Sequence, residues 1–193
     1  MKEEALLMVL WQPPAAYEEE FNAWYDTEHL PERACIEGFR TARRYVGLGD
    51  GPSHMALYDL SSLGILDEPP YQAISGDNYS PWSRRIMARI PLQRIAARLH
   101  TGTPDMTSDC IRLAVMKFAV DAPADIDRLA SALPALLDGT KGVTRWRVFA
   151  GVAPKPDFAL VVVECSTTAM PQIDTASTGL TATLAASYRP YLY

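Results

Sequence analysis

The 193-residue sequence contains only three cysteines and three histidines. Cys35, Cys110 and Cys165 are odd in number and form no CxxC pair. They therefore read as reduced thiols of a cytoplasmic protein, not as a disulfide framework. His29, His54 and His100 are nowhere paired at i+2 or i+4, and HExxH is absent. The expected metal and cofactor content is accordingly none, and no haem-attachment motif appears. Basic charge is not in excess: 18 Lys and Arg face 23 Asp and Glu, for a net charge of −5. Such a chain is a poor partner for phosphate backbones, so nucleic acid is not an expected partner. No apolar run approaches the roughly 20 residues that span a bilayer, so no membrane partner is expected. The run at 5–11 is too short for a secretory leader. Gly47, Gly49 and Gly51 lie between two strands and not between a strand and a helix, so they are no phosphate loop. A serine nucleophile elbow is missing as well.

What remains is a chain with 48% hydrophobic and 21% charged residues, enough to bury a substantial core. The continuous apolar run at 5–11 predicts a strand covered on both faces. A helix over 15–30 follows, opened by Glu18, Glu19 and Glu20 and ended by Pro31. Strands are predicted at 39–46 and 54–60, a broken helical region after them, and a strand at 89–99. This β-α-β-β-α-β order is the ferredoxin-like pattern. Residues 100–109 read as a linker. The pattern then recurs: a strand at 111–120, an amphipathic helix marked by Ile126, Leu129, Leu133, Leu136 and Leu137, and strands at 143–152 and 158–165. A weak helix at 170–178, a strand at 181–187 and an aromatic tail at 188–193 complete it. Gly38 through Tyr45 aligns with Gly142 through Phe149, and Met55-Ala56-Leu57 with Phe158-Ala159-Leu160. The chain is read as an internal duplication, with one unit at 1–103 and a second, degenerate one at 110–193.

The most specific stretch runs Phe21-Asn-Ala-Trp24-Tyr25-Asp26-Thr-Glu28-His29-Leu-Pro31-Glu32, followed by Gly38-Phe39, Ala42-Arg43-Arg44-Tyr45 and Ala56-Leu57-Tyr58-Asp59-Leu60. Residues 1–100 resemble the EthD-like branch of the dimeric α+β barrel superfamily; the second half matches only in pattern. Glu37-Gly38 departs from the family's usual proline-glycine. The resemblance implies an α+β fold in which two tandem ferredoxin-like βαββαβ units pack as a dimeric α+β barrel. It also implies a homodimer and a small-molecule ligand.

His29 is the leading candidate for proton transfer, because imidazole titrates near neutrality. Tyr25 lies one turn before it, and Asp26 is placed to orient it. His29 is equally placed to cap the helix C-terminus. Trp24 and Tyr25 are candidates to line a cleft for a flat aromatic substrate, although Trp24 fits a core position better. Trp82 with Arg84 is placed either to close the pocket or to pack on the surface. Arg43 and Tyr45 share one face of their strand and Arg44 the other. Arg43 could hold a carboxylate or enolate, or form an ordinary ion pair with Glu28, Asp59 or another acid. Tyr45 and Tyr58 offer hydroxyls. The catalytic set is thus His29, Tyr25 and Arg43, and the substrate-binding set Trp24, Tyr45, Tyr58 and Trp82. These residues point to a cofactor-independent acid/base enzyme on a small aromatic or apolar carbonyl compound, of isomerase, decarboxylase or cyclase type. A cofactor-free monooxygenase and a non-catalytic ligand-binding or stress protein are the alternatives. All of these candidates precede residue 100, so the second half reads as scaffold.

Overall fold

The computed structural model describes residues 3–104, 106–137, 140–152, 156–168 and 178–192. Strand β1 (Ala5–Trp11) is buried along its whole length. A helix follows in three parts: α1 (Glu18–Trp24), a π-helical turn (Tyr25–His29) and α2 (Leu30–Ala34). Pro31 does not end this helix, contrary to expectation. The π turn sends the Leu30 N–H to the Tyr25 carbonyl and resets the ladder, so the proline falls in the first turn of α2, where an N–H is dispensable.

Strands β2 (Arg43–Gly47) and β3 (His54–Leu60) come next, then short helices α3 (Pro69–Gln72) and α4 (Pro81–Met87), then β4 (Leu92–Gly102). The second half holds β5 (Arg112–Ala119), α5 (Pro123–Leu137), β6 (Val143–Ala150), β7 (Phe158–Cys165) and β8 (Ala182–Pro190). The helix expected at 170–178 lies outside the described residues for all but its last position. The first half of the expected aromatic tail, 188–190, is instead the end of β8, with Tyr188 fully buried. Residues 39–42 contribute only one isolated bridge, Phe39 to Leu60, so β2 is shorter than expected.

All strand pairs are antiparallel and close into a barrel in the order β1-β3-β2-β8-β5-β7-β6-β4. The barrel closes within one chain. The first half contributes β4-β1-β3-β2 and the second β8-β5-β7-β6, the same relative order. Two seams join the halves. One is β2–β8, with Tyr45 opposite Pro190. The other is β4–β6, with Arg98 opposite Ala150 and a bulge between Leu99 and Thr101.

Alternation along each strand sorts the side chains into three cores. Leu6, Met8 and Leu10 of β1 point into the barrel with Leu57, Val115, Leu160 and Val162. Leu7, Val9 and Trp11 point outward under α1. On the far side, Ile126, Leu129 and Leu133 of α5 cover Val161 and Val163. Each such fully buried aliphatic side chain contributes roughly 1.5–3 kcal/mol.

Candidate active site

The outward layer under α1 is a dense aromatic cluster. Its rings come from β1 (Trp11), α1 (Phe21, Trp24), the π turn (Tyr25, His29) and β3 (Tyr58). The His29 ring lies 4.2 Å from Trp24, 4.9 Å from Tyr25 and 6.5 Å from Trp11, centroid to centroid. Burial, with Arg33 and Arg44 adding like-charge repulsion, holds its pKa well below the ordinary histidine value. His29 is therefore a neutral base at pH 7, and its Nδ1 has no hydrogen-bond partner. A cationic helix cap is not the state of this ring. The Tyr25 and Tyr58 hydroxyls meet at 3.2 Å. Burial raises both phenols, so both stay protonated and one donates to the other.

This cluster is braced from α4 and β2. Trp24 Nε1 donates to Ser83 Oγ at 3.1 Å, and Ser83 Oγ donates to Glu28 Oε1 at 2.9 Å. Arg44 lies 4.6 Å over the Tyr25 ring and 4.0 Å over the Tyr191 ring. It pairs with Asp26 and donates to Asn22 Oδ1 at 2.6 Å. Asp26 therefore faces Arg44 and the Tyr191 hydroxyl, and is not the orienting partner of His29 that its spacing suggested.

The structure divides the candidate residues into two groups. His29, Tyr25, Trp24 and Tyr58 share the outward layer, with Trp82 packed against it. Arg43 and Tyr45 lie on the opposite face of β2. Tyr45 is buried in the barrel interior, and Arg43 forms the ordinary ion pair offered as its alternative, the acid being Asp109. Two open cavities accompany these groups. One, of about 440 Å³, is lined by Leu63, Leu66, Tyr71, Tyr79, Arg94 and Ala96 among others. It shares Leu66 and Tyr71 with the aromatic cluster. Rings lead inward from it: Tyr71 to Phe39 (5.9 Å), then Phe39 to Tyr58 (5.6 Å). The other, of about 340 Å³, sits at the β2–β8 seam and is lined by Arg43, Arg44, Tyr45, Cys110 and Tyr191, with other residues.

The second half is more than an apolar scaffold. Arg147 of β6 meets Asp59 of β3 at 2.6 Å and Glu164 of β7 at 3.6 Å, all three nearly inaccessible to solvent. Thr107 donates its N–H to Asp59 at 2.8 Å, and Ser108 donates its N–H to Glu164 at 3.1 Å. These charges pin the connecting segment across one end of the barrel. The sequence signal was Glu164 itself, a lone acid at an inward position of an otherwise apolar strand.

The sequence matches no protein-family model and no curated protein. Solved structures do match in shape. An anthrone oxidase-like protein aligns with a TM-score of 0.66 at 12% identity, over 100% of this chain and 92% of that one. A proposed monooxygenase from Lactobacillus acidophilus aligns at 0.61 and 9% identity, over 98% and 93%. The chain shares the barrel fold of these proteins along nearly its whole length. Another barrel of this shape, a haem-binding protein from Thermus thermophilus, aligns at 0.59 and 9% identity, over 100% and 92%. Identities this low carry fold and not reaction.

The residues around the two barrel cavities do not suit haem. Neither cavity is lined by a histidine. His29 is packed by rings, His54 Nε2 lies 3.2 Å from Glu18, and His100 Nε2 lies 2.9 Å from Asp127. Cys110 lines the seam cavity, but burial pushes its thiol up to about 11, so it is a poor thiolate ligand. Among the described residues, no cluster of three or more His, Cys, Asp or Glu is placed to hold a metal ion, and no helix is long and apolar enough to cross a membrane.

Proposed function

We propose that this chain is a cofactor-independent oxygenase acting on a small, electron-rich aromatic carbonyl compound, with anthrone-type methylene compounds as the class to test first. One observation carries the reading. A buried, neutral His29 packs against the ring of Tyr25, whose hydroxyl meets that of Tyr58. These groups do not line the 440 Å³ cavity, so the reading includes entry of the substrate past the Tyr71 and Phe39 rings. The anthrone oxidase-like and monooxygenase neighbours support oxygenation over the isomerase, decarboxylase or cyclase chemistries that need the same base.

The chemistry follows from the groups present. A methylene flanked by aryl rings and conjugated to a carbonyl is acidic enough for imidazole to take its proton. Negative charge moves to the substrate oxygen, where protonated Tyr25 or Tyr58 stabilises it by donating a hydrogen bond. The electron-rich carbanion reduces dioxygen directly. Overall, the methylene carbon loses both hydrogens and gains a doubly bonded oxygen atom from dioxygen. The other oxygen atom leaves with the two hydrogens as water, and His29 returns the proton it took. Trp24, fixed by Ser83, holds the imidazole in place. The repeated strand order supports reading the halves as tandem copies of one ferredoxin-like unit, with the EthD-like motif retained in the first. A homodimer is the assembly expected for it, and size-exclusion chromatography tests this.

Oxygen uptake with anthrone as substrate tests the activity. His29→Ala is expected to lower kcat by about 10²–10⁴ and Tyr58→Phe by about 10²–10³. Undiminished turnover in His29→Ala overturns the assignment. Saturable ligand binding with no oxygen uptake by the wild type assigns the chain to the non-catalytic alternative.

A further inference from the structure

Two consecutive arginines reach the seam cavity from opposite faces of β2, and they differ in what they have left to offer. Arg44 is fully engaged: it pairs with Asp26, donates to Asn22 and lies between the Tyr25 and Tyr191 rings. Among the described residues, Arg43 makes one side-chain bond, from Nη1 to Asp109, while its Nε is buried without a hydrogen-bond partner. A guanidinium recognises carboxylates best through two parallel N–H groups, and Asp109 takes one. The Asp109 side chain is 92% exposed, and ion pairs of that kind contribute little.

The rest of the lining is suited to a small amphipathic guest. The cavity holds about 340 Å³, at the lower end of ligand sites. Pro190, Tyr191 and Leu192 supply apolar wall, and the Tyr45 phenol and Cys110 thiol are kept uncharged by burial. We propose that this cavity binds a small aryl carboxylate, gripped side-on by Arg43, with Asp109 as a built-in competitor that the ligand displaces.

Charge argues for a monoanion. Glu164 and Asp59 already act on Tyr45 from inside the barrel. A monocarboxylate that takes the place of Asp109 beside Arg43 brings one negative charge to the guanidinium; a phosphate dianion brings a second. Arg43 itself lies on the other face of β2 from Arg44, which packs on Tyr25 of the His29 cluster, and carboxylate binding by Arg43 does not depend on the oxygenase reading.

Isothermal titration of the full chain with 2-naphthoate, under nitrogen and without turnover, tests the proposal. Naphthoate is expected to bind saturably, and both 2-naphthalenemethanol and inorganic phosphate more weakly. Arg43→Met, which keeps the apolar stem, is expected to weaken naphthoate by roughly 10- to 100-fold. Asp109→Ala, an exposed change that leaves the fold intact, is expected to tighten it by about two- to fivefold. Equal binding of the alcohol, or no tightening in Asp109→Ala, overturns the proposal. So does binding that survives Arg43→Met but disappears in Arg94→Gln, which would place the carboxylate in the other cavity.

Discussion

Acidification is expected to destabilise this protein through His29 in a way that one substitution removes. The folded-state pKa of His29 is depressed, chiefly by burial, whereas a histidine in the unfolded chain titrates near 6.5. Between the folded and unfolded values the unfolded chain binds one more proton than the folded one. Stability from this group is therefore present above about pH 6.5 and falls as the pH drops below it. The slope approaches about 1.4 kcal/mol per pH unit. From pH 7.5 to 5.5, with His29 staying neutral when folded, the wild type is expected to lose about 1.4 kcal/mol more than His29→Gln. His54, whose pKa is also lowered by burial, contributes equally to both proteins and cancels. Urea unfolding followed by tryptophan fluorescence at pH 7.5, 6.5 and 5.5 measures the difference. Parallel pH profiles for wild type and variant would refute the claim that His29 is held neutral, and with it the premise of the proton-transfer reading.

Two further substitutions probe the scaffold. Asp59→Ala removes the carboxylate 2.6 Å from buried Arg147 and the acceptor of the Thr107 N–H, and is expected to cost about 3–5 kcal/mol in urea unfolding; a loss under about 1 kcal/mol contradicts a structural role for the charge cluster. Gly38 has φ of 95°, and a Cβ there would lie 2.1 Å from Ile65 Cδ1, whereas Gly49 has φ of 112° and open space. Gly38→Ala is thus expected to cost at least about 1 kcal/mol more than Gly49→Ala, and equal losses would show that only the backbone matters.

Much of the fold was legible locally. β1 stands where its unbroken apolar run places it, because both of its faces are covered. β3 and β7 stand where expected too, although each buries an acid, Asp59 or Glu164, that Arg147 neutralises. The α5 boundary followed from its leucine spacing. Pro31 misled because its steric rule is written for an unbroken α-ladder, and a π turn evades that rule. The end of β8 looked like a tail because Tyr188-Arg189-Pro190 carries no strand signature of its own; pairing with β2 and β5 makes it one.

The candidate site was legible in part. Spacing brought His29, Tyr25 and Trp24 together, since neighbours one turn apart share a helix face. Alternation put Arg43 with Tyr45 and Arg44 on the other side. No local rule could show that Arg44 closes over Tyr25, that Asp26 serves Arg44, or that Arg147 and Glu164 reach Asp59 from the other half. By itself, then, the sequence determined the order of elements, the facing of side chains within each, and the poverty of metal-ligand motifs. Periodicity is a property of neighbouring residues, so one chain suffices to read it. Only the tertiary structure decided that the barrel closes within a single chain, that His29 is neutral, and that Arg43 lines a seam between the halves. Burial, pKa and cavities all arise where segments distant in sequence meet.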